Sequence, residues 1–173
     1  MYFGKTIETR VRDAELADAA KVLRMLDALD EETRLMMFEP GERGLDVARF
    51  AGFLAEMRLM QDCFLVASDG ECILGFAQAE RGRYLRNQHS ATVVVGLLPR
   101  ARGRGLGTRL LGEIDEWAVR EGVSRLELTV MAHNAPAIGL CRKCGYLQEG
   151  LRRRSLVVDD VAIDELAMAK LLP

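Results

Sequence analysis

The stretch from Pro99 to Leu111, PRARGRGLGTRLL, combines four arginines with three glycines at every second position. An apolar run with helical spacing follows, so a helix is predicted to begin within this stretch. The first turn of a helix presents free N–H groups and the positive end of the helix dipole. Glycines let a ligand approach those groups closely, and Arg102 and Arg104 add charge complementary to phosphate. This combination predicts a turn that binds a pyrophosphate group.

Two other interpretations explain this stretch less completely. A tight turn between a strand and a helix needs glycines for steric reasons, but it gives no role to the neighbouring arginines. A dinucleotide-binding turn has the spacing G-x-G-x-x-G, whereas Gly103, Gly105 and Gly107 follow the spacing G-x-G-x-G. The pyrophosphate interpretation accounts for both residue types, and we favour it.

The near-neutral charge of the chain argues against nucleic acid as a partner. Its 173 residues contain 24 lysines and arginines against 26 aspartates and glutamates, a formal net charge of −2. Nucleic-acid-binding domains are usually net basic, so no nucleic-acid partner is expected. The length and the globular composition predict a single domain over residues 1–173. The sequence leaves a homodimer open.

Targeting and metal-binding signals are weak in this sequence. The opening residues, MYFGKTIETRVRD, lack the apolar core of a signal peptide. The apolar stretches are far shorter than a membrane span, so we expect no membrane partner and a cytoplasmic location. Cys141 and Cys144 form a C-x-x-C, but no second pair or histidine cluster completes a zinc site. We therefore expect no metal and reduced thiols at Cys63, Cys72, Cys141 and Cys144.

The first half of the chain shows a strand, two helices and a hairpin. ETRVR alternates and predicts a strand, and residues 14–29 have helical spacing with Asp13 as a plausible N-cap. A second helix is predicted after Asp46, its N-cap residue, with Val47 on its apolar face. Two apolar runs flank Asp69-Gly70, which is a strong signal for a hairpin turn.

The second half positions the glycine-rich turn. ATVVVGLL is rich in β-branched residues and predicts a buried strand before the turn, and a helix from Leu106 is predicted to end at Gly122. This helix is followed by the strand RLELTV and a short helix near Asn134. Strands are then predicted at YLQEG and SLVV around a turn, and the last strand is VAIDELAMAKL. The order β, α, α, β, β, β, α, β, α, β, β indicates an α/β chain with a mixed, largely antiparallel sheet, without the regular alternation of a doubly wound fold.

Two motifs in this order resemble the GNAT superfamily of acyl-CoA-dependent N-acyltransferases. The family signature Gln/Arg-x-x-Gly-x-Gly/Ala is matched by Arg102, Gly105 and Gly107. The second family element, N-x-x-A-x-x-L-Y-x-x-x-G-F, resembles NAPAIGLCRKCGY, which supplies Asn134, Ala137, Leu140, Gly145 and Tyr146. The order of elements also matches the family, so the resemblance covers nearly the full chain. It implies a GNAT-like fold, whose central sheet is splayed between the fourth and fifth strands and flanked by helices.

The resemblance also implies a cofactor site. In this family the pantetheine arm of acetyl-CoA lies in the gap between the fourth and fifth strands and pairs with the backbone of the fourth strand. Its pyrophosphate lies on the glycine-rich turn, and the asparagine of the second element contacts it from the other side. Carried over, the binding residues are Val95, Gly96 and Leu97 of the strand, then Arg102, Gly103, Arg104, Gly105, Leu106, Gly107 and Thr108 of the turn, and Asn134.

The catalytic acid departs from the family pattern. The family usually protonates the leaving thiolate with the tyrosine of the second element, and here that position is Cys141. A thiol has a reference pKa of about 8.5, against about 10 for a phenol, and is a weaker hydrogen-bond donor. Cys141 is therefore a candidate acid, an apolar filler, or a nucleophile promoted by the neighbouring Arg142 and Lys143. Tyr146 occupies an aromatic packing position of the family.

Several groups are candidates for the general base that removes a proton from the amine. Some relatives place a glutamate five residues before the asparagine, and here that position is Thr129, which cannot accept the proton. Glu127 lies two residues earlier, on the same face of the strand. His89 and His133 are further candidates. A relay through water without a dedicated base is equally acceptable.

The expected reaction is transfer of an acetyl group from acetyl-CoA to a primary amine of a small molecule or a protein N-terminus, by direct attack on the thioester. The alternative is an acyl-CoA-binding sensor or inactive relative without transferase activity, which the missing tyrosine permits. Two segments are expected to determine which amine the protein accepts: DEETRLMMFEPGERG, whose glutamates favour a cationic amine, and RRRSLVVDDVAID.

Overall fold

The computed structural model describes residues 9–173 as strands and helices in the predicted order. The helices are α1 (Ala19–Glu32), α2 (Val47–Leu59), α3 (Leu106–Arg120) and α4 (Ala135–Lys143). The strands are β1 (Arg10–Asp13), β2 (Cys63–Ser68), β3 (Ile73–Arg81), β4 (Ser90–Leu97), β5 (Arg125–Met131), β6 (Leu147–Val158) and β7 (Val161–Leu171).

One sheet contains the seven strands, in the order β1-β2-β3-β4-β5-β7-β6. Neighbouring strands are antiparallel except β4 and β5, which run parallel. That parallel pair is joined only between Ser90–Thr92 and Arg125–Glu127. β3 continues along β4 to Leu97, and β7 continues along β5 to Met131, so each half of the sheet extends beyond the point where the two halves part. The predicted mixed sheet, splayed between the fourth and fifth strands, is confirmed.

Helices cover both faces of this sheet. The apolar residues of α3 recur at helical spacing, so one face of the helix is buried, and Leu110 and Ile114 pack with Leu126 of β5 in one hydrophobic cluster. α4 contributes to the same cluster. α1 and α2 pack on the opposite face, where Leu29 of α1 lies in a second cluster with Phe76 of β3. The parting strands therefore lie between two helical layers.

Local capping signals predicted three helix boundaries correctly. The Asp46 carboxylate accepts a 2.7 Å hydrogen bond from the Arg49 N–H at the start of α2. Gly122 has φ 71° just beyond the end of α3, as a C′ glycine should. The Asn134 side chain accepts a hydrogen bond from Ala137 N at 3.3 Å at the start of α4. Each signal depends on contacts within one turn of chain, so sequence alone can indicate it.

The start of the first helix differs from the prediction. Asp13 belongs to β1 and pairs with β2, so it does not cap a helix. A 3₁₀ turn over Leu16–Asp18 precedes α1, and Asp18 forms an ion pair with Arg12 at 2.6 Å. Pairing between strands distant in sequence has overridden the local cap signal. Glu8, which ETRVR places in the first strand, lies outside the described residues.

The late strands and one helix face also differ from the prediction. Residues 147–150 of YLQEG and the segment SLVV belong to one strand, β6, whose pairing with β7 is irregular between Arg152 and Leu156. Arg154 has φ 50° there, so the predicted turn is absorbed as a bulge. The tight turn lies at Asp159–Asp160, where both residues have positive φ. Val47 is 48% exposed, because it begins α2 before the helix reaches the core.

Three further findings concern the cysteines, the length of the helices and possible metal ligands. Cys63 and Cys141 are buried free thiols, whereas the free thiol Cys72 is exposed. None of the helices within residues 9–173 is long and apolar enough to span a membrane. In the same part of the chain, no three His, Cys, Asp or Glu side chains are grouped closely enough to hold a metal ion.

Candidate active site

The centre of the sheet contains a gap bordered by backbone. β4 is paired with β3 as far as Leu97, but its pairing with β5 ends at Thr92. The β5-facing side of β4 from Val93 to Leu97 therefore has no neighbouring strand. Backbone N–H and C=O groups need partners when they are away from water. An extended ligand with amide groups can supply them, as an added strand would.

The glycine-rich turn closes one end of the gap. Gly105 is the N-cap of α3 with φ 76°, and Gly103 has φ 71°, a left-handed conformation that favours glycine at both positions. No atom outside their immediate neighbours lies within 4 Å of a Cβ placed at either position. The space over the turn is therefore open, and the first N–H groups of α3 face a region that can hold an anion.

Gly96 and Gly107 are glycines for a different reason. A Cβ on Gly107 would lie 2.7 Å from Leu140 Cδ2, so this glycine lets α3 and α4 pack closely. A Cβ on Gly96 would lie 2.8 Å from the Phe76 ring, beneath α1. Both residues still border the gap, but their missing side chains serve packing.

A cavity of about 390 Å³, the gap cavity, runs from β4 over the turn to α4. This volume is within the usual range of small-molecule sites. The predicted cofactor-binding residues that line it are Val95, Gly96, Leu97, Arg102, Gly103, Gly105, Leu106, Gly107, Thr108 and Asn134. Arg104 is not in this lining, and its guanidinium donates instead to Thr9 Oγ1 at 3.3 Å.

A second cavity, the face cavity, lies between the parting strands and the loop that joins α1 to α2, and it measures about 430 Å³. It is bounded by the loop between α1 and α2, by β4, β5 and β7, and by α4. Both cavities are lined by Met36, Val95 and Asn134, so they meet at the gap. A molecule in the gap cavity and a different molecule in the face cavity would therefore touch near Val95.

Cys141 lies in the wall of the face cavity, and its side chain is buried. Burial raises the pKa of this thiol to about 11. A raised pKa disfavours the thiolate, which is the reactive form of cysteine. At neutral pH this shift favours the protonated thiol and argues against the nucleophile interpretation.

Comparisons with known proteins identify the family. The model of the acetyltransferase (GNAT) family matches residues 25–146. The chain belongs to the GNAT acetyltransferase family. A GNAT-family acetyltransferase structure from Streptococcus pneumoniae is 28% identical with a TM-score of 0.91, covering 96% of this chain and 100% of that one. The match confirms the fold expected from the two motifs.

Two curated relatives are similar over part of their length. The N-alpha-acetyltransferase RimI of Mycobacterium tuberculosis is 35% identical over 105 residues, which are 60% of this chain and 64% of that protein. An uncharacterized protein of Mycobacterium leprae is 32% identical over 104 residues, 60% of this chain and 28% of that protein. This GNAT chain therefore spans less than two thirds of either relative.

The base candidates are not brought together with Cys141 in this GNAT chain. Glu127 is the last residue of β5 that pairs with β4, and it forms an ion pair with Arg125 at 3.0 Å. It lines a cleft of about 480 Å³ beyond the face cavity, and the two spaces share Thr92 and Val94 in their walls. His89 is exposed just before β4, away from the gap. Thr129 does line the face cavity, but its hydroxyl is not a base at neutral pH.

Two residues that the motifs did not single out border the GNAT cavities. Lys143, in the last turn of α4, lines the gap cavity opposite the glycine-rich turn, where its ammonium group complements phosphate. Glu165 of β7 is 4% exposed and lines the face cavity. The sequence could have indicated Glu165, because alternation in VAIDELAMAKL places this carboxylate on one face of the strand with small and apolar neighbours.

Alkylation should distinguish the thiols of this GNAT chain. With a pKa of about 11, only about one Cys141 thiol in ten thousand is ionised at pH 7, so iodoacetamide should label exposed Cys72 far faster. Labelling of Cys141 should rise with pH as the thiolate fraction grows. Mass spectrometry of peptides over a pH series measures both rates. Equal rates at neutral pH would show that Cys141 is an activated nucleophile.

Proposed function

We propose that this protein is an N-acetyltransferase that moves an acetyl group from acetyl-CoA to a primary amine by direct attack. The observation that carries the proposal is the meeting of two cavities at an unpaired strand edge, with the N-terminus of α3 at one end. One cavity has the features that bind a pyrophosphate and an amide-bearing arm, and the other is free for an amine. Membership of the GNAT acetyltransferase family supports the same reaction.

The donor would be held mainly by backbone. The edge of β4 at Val95–Leu97 offers N–H and C=O groups to the amides of the pantetheine arm. The pyrophosphate would lie on the N–H groups of the turn from Gly103 to Thr108. Arg102 donates through Nε to the Leu97 carbonyl at 3.2 Å, which fixes its stem and leaves the outer N–H groups for phosphate. Lys143 adds charge from the opposite wall.

The amine would attack from the face cavity. An acceptor bound as an ammonium must lose a proton before it attacks, and water in the cleft toward Glu127 would provide a route for that proton. Backbone N–H groups at the gap would stabilise the oxyanion that forms as the amine adds to the thioester. The Asn134 side-chain oxygen caps α4, so its amide N–H groups remain to orient a ligand at the junction. Departure of the CoA sulfur then leaves an amide product.

Acetyl-CoA and amine assays test this proposal in two steps. Acetyl-CoA should raise the melting temperature, because a ligand that binds only the folded state stabilises it. CoA release should then be screened with amino acids, polyamines, aminoglycosides and peptides. Peptide N-termini belong in the screen because one relative is named an N-alpha-acetyltransferase. A melting shift without CoA release from any amine would favour the sensor alternative, and no melting shift would refute donor binding.

Replacing Cys141 by alanine should lower kcat at saturating acetyl-CoA by about tenfold. The buried thiol would offer a hydrogen bond to the departing sulfur, but its pKa of about 11 makes full proton transfer unfavourable. The effect should therefore fall below the factor of about a hundred or more that a general acid usually contributes. Cys144→Ala, one turn along the same helix end, is the matched control and should leave kcat unchanged. An unchanged kcat in Cys141→Ala would make Cys141 a packing residue.

A further inference from the structure

Glu165 is a buried carboxylate on the open face of the sheet. In the β5–β7 register Glu165 is paired with Met131, and directly paired residues of antiparallel strands project to the same face. Thr129 lies two residues earlier on β5, on that same face. All three residues line the face cavity. Glu165 therefore belongs to the wall of the proposed acceptor site, although its side chain is only 4% exposed.

The carboxylate of Glu165 is incompletely partnered. Its Oε2 atom lies 3.3 Å from Arg152 Nη1, and the Arg152 side chain is 57% exposed. Among residues 9–173, no group donates a hydrogen bond to either carboxylate oxygen. A carboxylate accepts about four hydrogen bonds, so the ion pair with Arg152 leaves most of this capacity unfilled. The free capacity of Glu165 is thus available to a donor that enters the face cavity.

The rest of the cavity wall is mainly apolar. The loop between α1 and α2 contributes Met36, Met37 and Phe38, and β6 contributes Leu156. The other charged side chain in the wall is Arg43, whose Nε and Nη2 are both bound to the buried carboxylate of Asp30. Arg43 is thereby neutralised, so Glu165 is the carboxylate best placed to attract a cation.

We propose that Glu165 binds the ammonium group of the acceptor, and that the acceptor is a primary amine carried on an apolar body. This inference rests on the proposed transferase function and names the chemical class of its acceptor. The ammonium fills the hydrogen-bonding capacity of the carboxylate, and the apolar body packs on Phe38 and Leu156. Glu165 acts as a specificity-determining residue, which holds the amine within the cavity that reaches Val95.

Two unreactive probes test the charge preference directly. N,N-Dimethylphenethylamine is a cation at neutral pH and cannot form a stable amide, and hydrocinnamyl alcohol is a neutral molecule of similar shape. Calorimetry on the full chain, with and without acetyl-CoA, measures their affinities. The wild-type protein should bind the cation at least about tenfold more tightly, as expected for a hydrogen bond to a buried charge. No preference, or no binding of either probe, would overturn the inference.

Variants assign that preference to one residue. Glu165→Gln keeps the shape and removes the charge, so the two probes should bind with nearly equal affinity. Glu149→Gln removes a carboxylate that is also paired with an arginine but lies outside the face cavity, and the preference should remain. If Glu165→Gln does not fold, Glu165→Asp withdraws the charge by one methylene and should reduce the preference. An unchanged preference in either Glu165 variant would overturn the inference.

Kinetics separate this inference from the proposed function. With phenethylamine as acceptor, Glu165→Gln should raise KM for the amine at least about tenfold and leave KM for acetyl-CoA unchanged. An equal KM for the amine in wild type and variant would refute the role of Glu165 while the transferase function stands. Absence of CoA release with every amine tested would refute the transferase function, whereas the probe measurement would still report on Glu165.

Discussion

Replacing Gly103 and Gly105 together by alanine is expected to weaken acetyl-CoA binding by about a hundredfold. Both residues have φ near 70–76°, where each alanine costs about 1–2 kcal/mol. The turn escapes this strain by rotating away from its observed path, which moves the N–H groups of α3 that would hold the pyrophosphate. Binding must then restore the strained path, and about 3 kcal/mol corresponds to about two orders of magnitude in affinity. Titration calorimetry with acetyl-CoA measures the loss.

The chain offers a matched control for these two substitutions. Gly112 and Gly139 lie inside α3 and α4 without positive φ, and a Cβ at either position meets no atom within 4 Å. Their double replacement by alanine should raise the free energy of unfolding by about 1–2 kcal/mol, because alanine favours the helix, and leave affinity for acetyl-CoA unchanged. If the Gly103 and Gly105 variant binds acetyl-CoA within threefold of wild type, the turn does not hold the donor.

Replacing Asp30 by alanine is expected to lower the free energy of unfolding by about 3 kcal/mol. Asp30 in α1 is 1% exposed and binds Arg43 through two hydrogen bonds of 2.5 and 3.0 Å. Arg43 also stacks over the Phe38 ring, with 4.5 Å between the guanidinium carbon and the ring centroid. Loss of the carboxylate leaves a largely buried guanidinium without a counter-ion. Urea denaturation measures the loss of stability.

A second substitution shows whether the unpaired charge is the cause. Asp30→Ala combined with Arg43→Met removes both charges and should recover most of the lost stability, since an apolar pair can replace a buried ion pair. Glu39→Ala removes an exposed partner of Arg34 in the same loop and should change stability by less than about 1 kcal/mol. A double variant no more stable than Asp30→Ala alone would contradict the electrostatic explanation.

Features set by nearby residues were the most predictable. The caps at Asp46 and Asn134 and the glycine after α3 each depend on contacts within a few residues, and each lies where the sequence placed it. The turn at Gly105 follows the same logic, because a left-handed N-cap and an adjacent helix are local. The β-branched residues of β4 likewise predicted the strand that precedes this turn. The motifs then connected these pieces to a known family.

Features that depend on distant partners were not predictable. Gly107 remains a predicted residue of the phosphate-binding turn, but the sequence did not show that its missing side chain also accommodates Leu140, on a helix that begins after another strand. Asp13 has the chemistry of a cap, yet pairing with β2 keeps it extended. Glu127 shares a face with Thr129, as alternation requires, but sequence does not show how far along β5 the gap opens. That point is fixed by the β4–β5 register.

The parting of β4 from β5 is also expected to matter when the protein is concentrated. From Val93 to Leu97, β4 is chemically an edge strand, although it lies in the middle of the sheet. Edge strands are templates for pairing with other chains, and β-branched segments such as this one favour aggregation when they become accessible. α1 and α4 restrict access from the two sides, and a ligand in the gap would occupy the edge itself. Storage with acetyl-CoA should therefore suppress aggregation, which light scattering would record.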